Sequence, residues 1–149
     1  MMQIRQMEIS DYDKVCELWH SIKGFAMRSI DDSYDGIDRF IKRNPGLSTV
    51  AMEDDMLVGA ILCGHDGRRA TLYHVCVREG YRKRGIGKAM VVRCMEQLEK
   101  EGINKVALIA FTTNDVGNAF WKEIGWTERK DLNYYDFTIN PGNIVRFNT

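Results

Sequence analysis

The sequence has no long hydrophobic run and no excess of charge of either sign. No apolar stretch approaches the roughly 20 residues that cross a bilayer, and the opening MMQIRQMEISD lacks the apolar core of a signal peptide. Basic residues number 21 and acidic residues also number 21, so the formal net charge is zero. A protein that coats nucleic acid, or a helix that lies on a membrane surface, would need an excess of basic residues. We therefore expect a cytoplasmic protein with neither a nucleic-acid nor a membrane partner.

The four cysteines lack the spacing of a metal site or a disulfide framework. Cys16, Cys63, Cys76 and Cys94 lie far apart, and no histidine stands at ligand spacing from them. A chain of 149 residues, of which 44% are hydrophobic and 28% charged, can bury a hydrophobic core without a disulfide or a structural metal. We expect buried, reduced thiols, no metal, and a single domain over residues 1–149.

Hydrophobic patterning predicts an α/β (α+β) fold with a mixed central sheet of about seven strands, flanked by about four helices. The first half of the chain alternates as strands do, and helical patterns stand between the first strands. Strands are predicted at 3–8, 49–53, 56–63 and 70–77, with helices after Ser10 and after Ser33. Tight turns join the later three of these strands, so the sheet begins antiparallel.

The second half changes to a strand–helix–strand pattern. An amphipathic helix beginning near Ile86 precedes an apolar run at 105–111. Such a unit needs a crossover and therefore makes two strands parallel in the middle of the sheet. The apolar run is typical of a strand that is covered on both faces. After a short helix capped by Asn114, residues 126–129 and 134–139 are predicted to close the sheet as a terminal hairpin.

The most informative segment is a basic, glycine-containing turn before the third helix. It reads Val75-Cys76-Val77-Arg78-Glu79-Gly80-Tyr81-Arg82-Lys83-Arg84-Gly85-Ile86-Gly87-Lys88. Helix N-termini offer free N–H groups, glycines let backbone approach an anion, and basic side chains add charge, so the segment suits a phosphate. It is not a P-loop, since Ala89 follows Gly87-Lys88, nor a dinucleotide fingerprint, since Met90 replaces the third glycine. A plain turn with solvated arginines is the alternative.

This segment resembles the acetyl-CoA signature of the GNAT superfamily of N-acetyltransferases. The resemblance lies in Arg82-x-x-Gly85-x-Gly87, preceded by Val75-x-Val77 on a strand. Downstream, Asn114 and then Phe120-Trp121-x-x-Ile124-Gly125-Trp126 resemble the family's N-x-x-A-x-x-F-Y-x-x-x-G-F segment. The two blocks have the family's order and separation. The resemblance implies a GNAT-like domain that moves an acetyl group from acetyl-CoA to a primary amine of a small molecule or peptide.

The resemblance also implies a role for each matching residue. The N–H groups that would cradle the CoA pyrophosphate belong to Arg82, Lys83, Arg84, Gly85, Ile86, Gly87 and Lys88. The backbone of Val75, Cys76 and Val77 would pair with the pantetheine arm as an added strand does, and the Val75 N–H would be the oxyanion donor. Asn114 and Trp121 would lie against CoA, and a plain N-cap is the alternative for Asn114.

Two departures from the family leave the proton chemistry open. Trp121 stands where the family often has a tyrosine acid, and an indole N–H has no useful acidity. Thr71, Tyr73 and His74 occupy the stretch where a glutamate base is common. His74 is the candidate base, because histidine titrates near neutral pH. A histidine packed against a neighbouring element is the alternative.

Two other functions compete with acetyl transfer. The missing tyrosine and glutamate leave a non-catalytic acyl-CoA-binding module of GNAT fold as the alternative function. The cluster Arg82-Lys83-Arg84 resembles a nucleic-acid contact, but the neutral overall charge argues against it.

The acceptor side is less defined by the sequence. The resemblance implies a pocket lined by residues 25–38 and 134–137. Within it, Asp31, Asp32 and Asp35 either attract a cationic amine or cap the second helix and face water. The identity of the amine stays open. So does the oligomeric state, with a homodimer as one option, since the aromatic residues form no clear patch in the sequence.

Overall fold

The computed structural model describes residues 1–149 as alternating strands and helices. The strands are β1 (Met2–Gln6), β2 (Ala26–Arg28), β3 (Thr49–Glu53), β4 (Met56–His65), β5 (Ala70–Val77), β6 (Val106–Ala107) and β7 (Val145–Phe147). The helices are α1 (Tyr12–Ser21), α2 (Tyr34–Arg43), α3 (Ile86–Lys100) and α4 (Asp115–Glu123), and a 3-10 turn at Ile9–Asp11 precedes α1. The mixed α/β fold class is confirmed. No helix combines the length and the apolar character that a membrane crossing requires.

Five of the strands form the main sheet, in the order β1-β3-β4-β5-β6. All its pairs are antiparallel except β5 with β6. The predicted change from antiparallel to parallel strands is therefore confirmed. The remaining strands, β2 and β7, form a separate antiparallel pair, so the seven strands are divided between two sheets.

Both faces of the main sheet are covered, because β3 and β4 alternate their side chains between two apolar clusters. On one face Met90 and Cys94 of α3 pack against the sheet, and on the other Leu18 and Trp19 of α1 do. All four side chains are fully buried. Burial of an aliphatic side chain of this size contributes roughly 1.5–3 kcal/mol. The helix that follows the glycine-containing turn is thus fixed to the sheet along its length.

The chain after α4 differs from the prediction. Residues 126–129 and 134–139 form no strand, so the predicted terminal hairpin is wrong. Strand β6 ends at Ala107 although the apolar run continues to residue 111, and Ile109 and Phe111 are exposed rather than covered on both faces. The last strand, β7, pairs with β2, so the main sheet has no strand beyond β6 that could cover this run.

The C-terminus is bonded to the loop between α1 and α2. Asn148 Nδ2 donates to two carbonyls at the end of α1, at 2.7 and 2.9 Å. Asn143 Oδ1 accepts the N–H groups of Ile30 and Asp31 at 2.9 and 3.1 Å. These bonds and the β2–β7 pair fix the backbone of residues 24–31, which the resemblance assigns to the acceptor side.

Candidate active site

A β-bulge interrupts β5 at the position of the candidate base. The register with β4 shifts between Tyr73 and Cys76, so His74 and Val75 together face the single residue Ile61. His74 has a φ of +50°, in the left-handed region that non-glycine residues rarely adopt. A bulge bends its strand and re-aims side chains, and bulges are common next to active sites.

Strands β5 and β6 separate just before the bulge. Their only paired positions are Ala70 with Val106 and Thr71 with Ala107. From residue 72 onward, β5 has no strand on that side. The backbone of residues 75–77 therefore lies on an open sheet edge, which is what pairing with an extended ligand requires.

The turn before α3 contains three residues with a left-handed backbone conformation. Gly80, Lys83 and Gly85 have positive φ angles of +92°, +64° and +80°. Gly85 is the N-cap of α3, where no side chain caps the helix and no acidic residue lies in the first turn. The helix N-terminus thus keeps its free N–H groups and partial positive charge for an anion.

The basic side chains of the turn are exposed, and two of them are oriented by neighbours. Arg82 Nε donates to the Val77 carbonyl at 3.1 Å, at the end of the open edge. The Arg84 guanidinium lies 5.0 Å from the centre of the Tyr81 ring. Arg82, Lys83, Arg84 and Lys88 are all exposed to solvent. The turn therefore combines oriented backbone with charge that an anion can reach.

Arg78 joins the start of this turn to α1. Its guanidinium donates to both carboxylate oxygens of Glu17, at 3.2 and 2.6 Å, and to the Leu57 carbonyl at 3.1 Å. The Arg78 hydrogen bonds lower the pKa of Glu17, so the pair stays ionised at neutral pH. Arg78 is thus a structural residue of the turn.

Helices α3 and α4 meet closely at Gly87. A Cβ built there would lie 3.2 Å from two carbons of the Phe120 ring. Phe120 packs edge-on against Trp121, whose ring centre lies 4.6 Å from that of Trp126. Trp121 is half-buried against the core, as a packing residue would be. The glycine thus serves the contact between α3 and α4.

Asn114 caps α4. Its Oδ1 accepts the Gly117 N–H at 3.0 Å. The structure therefore shows Asn114 as the N-cap of α4. A contact between Asn114 and CoA stays a prediction.

His74 pairs with a buried carboxylate. Its Nε2 lies 2.9 Å from Asp32 Oδ1, and the two side chains are 16% and 6% exposed. The other oxygen, Oδ2, accepts the Arg28 N–H at 2.7 Å. Asp32 therefore does not face water, and the side chain that caps α2 is Ser33, whose Oγ accepts the Gly36 N–H at 3.0 Å.

Aromatic side chains surround this pair. The centre of the His74 ring lies 4.7 Å from that of Phe25 and 5.0 Å from that of Trp19. The Tyr12 hydroxyl donates to the Asp32 carbonyl at 2.7 Å. Burial raises the pKa of Tyr12 to about 12, so this phenol stays protonated at neutral pH. The hydrogen-bonded side chains of His74 and Asp32 lie among these rings.

The cysteines of the chain are free thiols. All four cysteines are free; three are buried and Cys16 is half-buried. Burial raises the pKa of the Cys76 thiol to about 12, which keeps it protonated and unreactive. No three His, Cys, Asp or Glu side chains lie close enough together to hold a metal ion.

The predicted site residues divide between two neighbouring places. Val75, Cys76 and Val77 lie on the open edge, and residues 82–88 form the turn and the first residues of α3. Of the predicted acceptor lining, Phe25 and Asp32 contact His74, whereas residues 28–31 and 134–137 are exposed. Sequence reasoning missed Trp19 and the C-terminal asparagines, because nothing local indicates their contacts.

Comparisons with known proteins agree with this geometry. The sequence model of the Acetyltransferase (GNAT) family matches residues 8–126. An acetyltransferase of Sodalis glossinidius (strain morsitans) is 30% identical over 123 residues, which cover 83% of this chain and 85% of that protein. An acetyltransferase of Pectobacterium atrosepticum is 31% identical over 114 residues, covering 76% and 79%.

Solved structures share the fold. PaiA N-acetyltransferase from Thermoplasma acidophilum in complex with coenzyme A has a TM-score of 0.72 and 20% identity, covering 84% of this chain and 89% of that one. AAC(6')-Iy in complex with a bisubstrate analogue, CoA-S-monomethyl-acetylneamine, also has a TM-score of 0.72, at 18% identity, and covers 93% and 99%.

We expect Gly87→Ala to lower the melting temperature, because the new methyl meets the Phe120 ring at 3.2 Å. In a helix interior, this change ordinarily raises stability by roughly 0.5–1 kcal/mol. Phe120→Leu in the same chain should relieve the contact. Thermal unfolding of both single variants and the double variant measures the coupling. Additive effects would contradict the contact between α3 and α4.

Proposed function

The chain belongs to the acetyltransferase (GNAT) family, and from that premise we propose that it transfers the acetyl group of acetyl-CoA to a primary amine. The observation that carries the proposal is one continuous stretch of backbone. It runs from the open edge of β5, through the glycine-containing turn, to the uncapped N-terminus of α3. The His74–Asp32 pair lies at the first residues of that stretch.

The residues present fit acetyl-CoA. The N–H groups of residues 82–88 would hold the pyrophosphate, helped by the partial positive charge at the start of α3. Exposed Arg82, Lys83 and Arg84 would add charge. The pantetheine arm would pair with the edge at 75–77, where the Val77 carbonyl now accepts from Arg82. The PaiA enzyme of the same fold was solved with coenzyme A, which supports this assignment.

The chemical step would take place at the bulge in β5. The neutral amine nitrogen attacks the thioester carbonyl, and the carbon–sulfur bond breaks. The sulfur leaves as a thiolate and then takes up the remaining proton that the nitrogen gives up as the amide forms. The Val75 N–H would stabilise the oxyanion that forms on the carbonyl oxygen. A thiol with a pKa near 8.5 leaves without a strong acid. The packed indole of Trp121, where the family often has tyrosine, is therefore compatible with turnover.

His74 would take the proton of the acceptor ammonium. Asp32 accepts a hydrogen bond from Nε2 at 2.9 Å, so the neutral ring carries its proton on Nε2. Nδ1 is then the basic nitrogen. Because His74 precedes Val75 on the same bulge, that base would stand next to the oxyanion donor. The buried carboxylate would stabilise the imidazolium after proton transfer.

The direct test of the function is the release of free CoA thiol over a panel of amines. The panel contains amino acids, polyamines, aminoglycosides and peptide N-termini, because the acceptor class is open. We expect at least one class to raise thiol release well above hydrolysis in buffer. Tight acetyl-CoA binding with no amine-dependent release would contradict acetyl transfer and favour the non-catalytic binding module.

The test of the base is the pH profile of kcat/KM with the best amine. For the wild-type enzyme, kcat/KM should rise with pH along an ascending limb. His74→Ala should abolish that limb and lower the rate by about 100-fold or more. Asp32→Asn should keep acetyl-CoA affinity and lower the rate, because the ring loses its carboxylate partner. His65→Ala is the matched control, since His65 pairs with Glu101 elsewhere. An unchanged limb in His74→Ala, accompanied only by lower stability, would assign His74 to packing.

A further inference from the structure

The bulge in β5 turns two neighbouring side chains to the same face of the sheet. In a regular strand, neighbouring side chains point to opposite faces. Here the Tyr73 ring lies 6.0 Å from the Phe40 ring of α2, and the His74 ring lies among the aromatic rings of the same face. Leu72 and Val75, on either side of them, pack in the apolar cluster that α3 covers. An acceptor would therefore reach the candidate base from the face of Tyr73, since α3 covers the other.

An exposed aromatic pair lies beside this face. The Phe111 ring, in the segment after β6, lies 5.8 Å from the Phe147 ring of β7. The two residues are 55% and 58% exposed. Phe147 pairs with Ala26 of β2, and Ala26 follows Phe25, whose ring lies 4.7 Å from that of His74. The pair therefore lies next to the loop that holds His74, and an apolar group of a ligand can pack against it.

Arg28 links the same strand to the His74–Asp32 pair. Its backbone N–H donates to Asp32 Oδ2 at 2.7 Å, and Asp32 Oδ1 lies 2.9 Å from His74 Nε2. Arg28 stands two residues after Ala26, so alternation along β2 directs its side chain to the face that carries Ala26 and its partner Phe147. A guanidinium and an aromatic ring are thus presented together, on the strand whose backbone holds Asp32.

The Arg28 guanidinium has no partner in the protein. The residue is exposed, and only its backbone takes part in hydrogen bonds. The nearest carboxylates along the loop have other partners: Asp31 Oδ2 accepts from Asn143 Nδ2 at 2.8 Å, and Asp32 accepts from His74. An unpaired guanidinium can bind a ligand carboxylate through two parallel hydrogen bonds. The acceptor side therefore offers a free binding group for an anion.

We propose that the acceptor is a free α-amino acid with an apolar or aromatic side chain. This inference rests on the proposed acetyl transfer at the same site. In such a molecule one carbon carries the amine, the carboxylate and the side chain, so all three groups must be bound at one place. His74 Nδ1 would face the amine, Arg28 would bind the carboxylate, and the side chain would pack against Phe111 and Phe147.

The reaction would yield the N-acetyl amino acid and free CoA. His74 takes one proton when the ammonium group of the amino acid becomes a neutral amine. The nitrogen then forms the amide bond as the carbon–sulfur bond of the thioester breaks. The departing thiolate takes the second proton that the nitrogen gives up.

Other classes of amine do not complement these groups. A polyamine or an aminoglycoside brings further positive charge to an unpaired guanidinium, and like charges repel. The first residue of a peptide has an amide bond where the free amino acid has its α-carboxylate, so Arg28 would have no anion to bind there. The free charge of Arg28 thus favours an acceptor whose carboxylate is close to its amine.

The test compares acceptors that differ in one group. Thiol release is measured with L-phenylalanine, with L-phenylalaninamide, which lacks the carboxylate, and with glycine, which lacks the side chain. We expect kcat/KM for L-phenylalanine to exceed that of each of the others by about 10-fold or more. The ammonium group of the amide is the more acidic, so more of that amine is neutral, and amine basicity cannot produce this order. Spermidine, an aminoglycoside and a dipeptide represent the other classes.

Two variants separate the two preferences. Arg28→Gln should lower kcat/KM for L-phenylalanine by about 10-fold or more, mainly through KM, and abolish the preference over the amide. Phe147→Ala should reduce the preference over glycine instead. Arg68→Ala, which removes an equal charge from the exposed turn between β4 and β5, is the control and should keep both preferences. Each preference is a ratio within one protein, so a partial loss of folded enzyme does not change it.

The outcomes distinguish this inference from the proposed function. Equal use of L-phenylalanine and its amide, an Arg28→Gln variant that keeps the preference, or faster release with a cationic amine or a peptide would overturn the inference. Each of these results would leave acetyl transfer in place. No release with any amine, although acetyl-CoA binds, would overturn the proposed function and this inference with it.

Discussion

The shift of register in β5 is the constraint on which the site depends. Two residues there face one residue of β4, and a bulge of this kind bends the strand and increases its twist. Strand β5 therefore leaves β6 after Thr71 and exposes its edge where an extended ligand can pair. His74, with a φ of +50°, and its neighbour Val75 are the two residues of this bulge. The candidate base and the candidate oxyanion donor are therefore adjacent in the same irregular part of β5.

The second requirement is a fixed loop beside His74, which the chain builds from distant segments. Asp32 is buried, and a buried carboxylate is tolerated only when donors satisfy it, here the Arg28 N–H and the His74 ring. Its loop is in turn bonded to Asn143 and, through β2, to the C-terminal strand. The His74–Asp32 pair thus depends on residues more than 100 positions away, because they fix the loop that carries Asp32.

The sequence predicts features that local pattern determines and misses those that need a distant partner. Alternation and helical spacing predict the fold class, the parallel crossover and the turn before α3, because each is set within a few residues. The Asp32–His74 contact joins positions 42 residues apart, so neither residue indicates the other. For 134–139, the alternating pattern predicts a strand, but the structure has none there, because local alternation does not supply a neighbouring strand to pair with. Only the placement of α4 shows that Gly87 faces the Phe120 ring.

Amide chemical-shift mapping by NMR, with CoA titrated into the isotope-labelled chain, tests the central claim most directly. If the open edge and the helix N-terminus form one binding surface, the largest changes will fall on the amides of residues 75–77 and 82–88. The chemical shifts of the amides in β1 and β3 should stay unchanged. Saturable binding whose largest changes lie on α2 or at the β2–β7 pair, with residues 75–77 unaffected, would contradict the assignment of this surface to the cosubstrate.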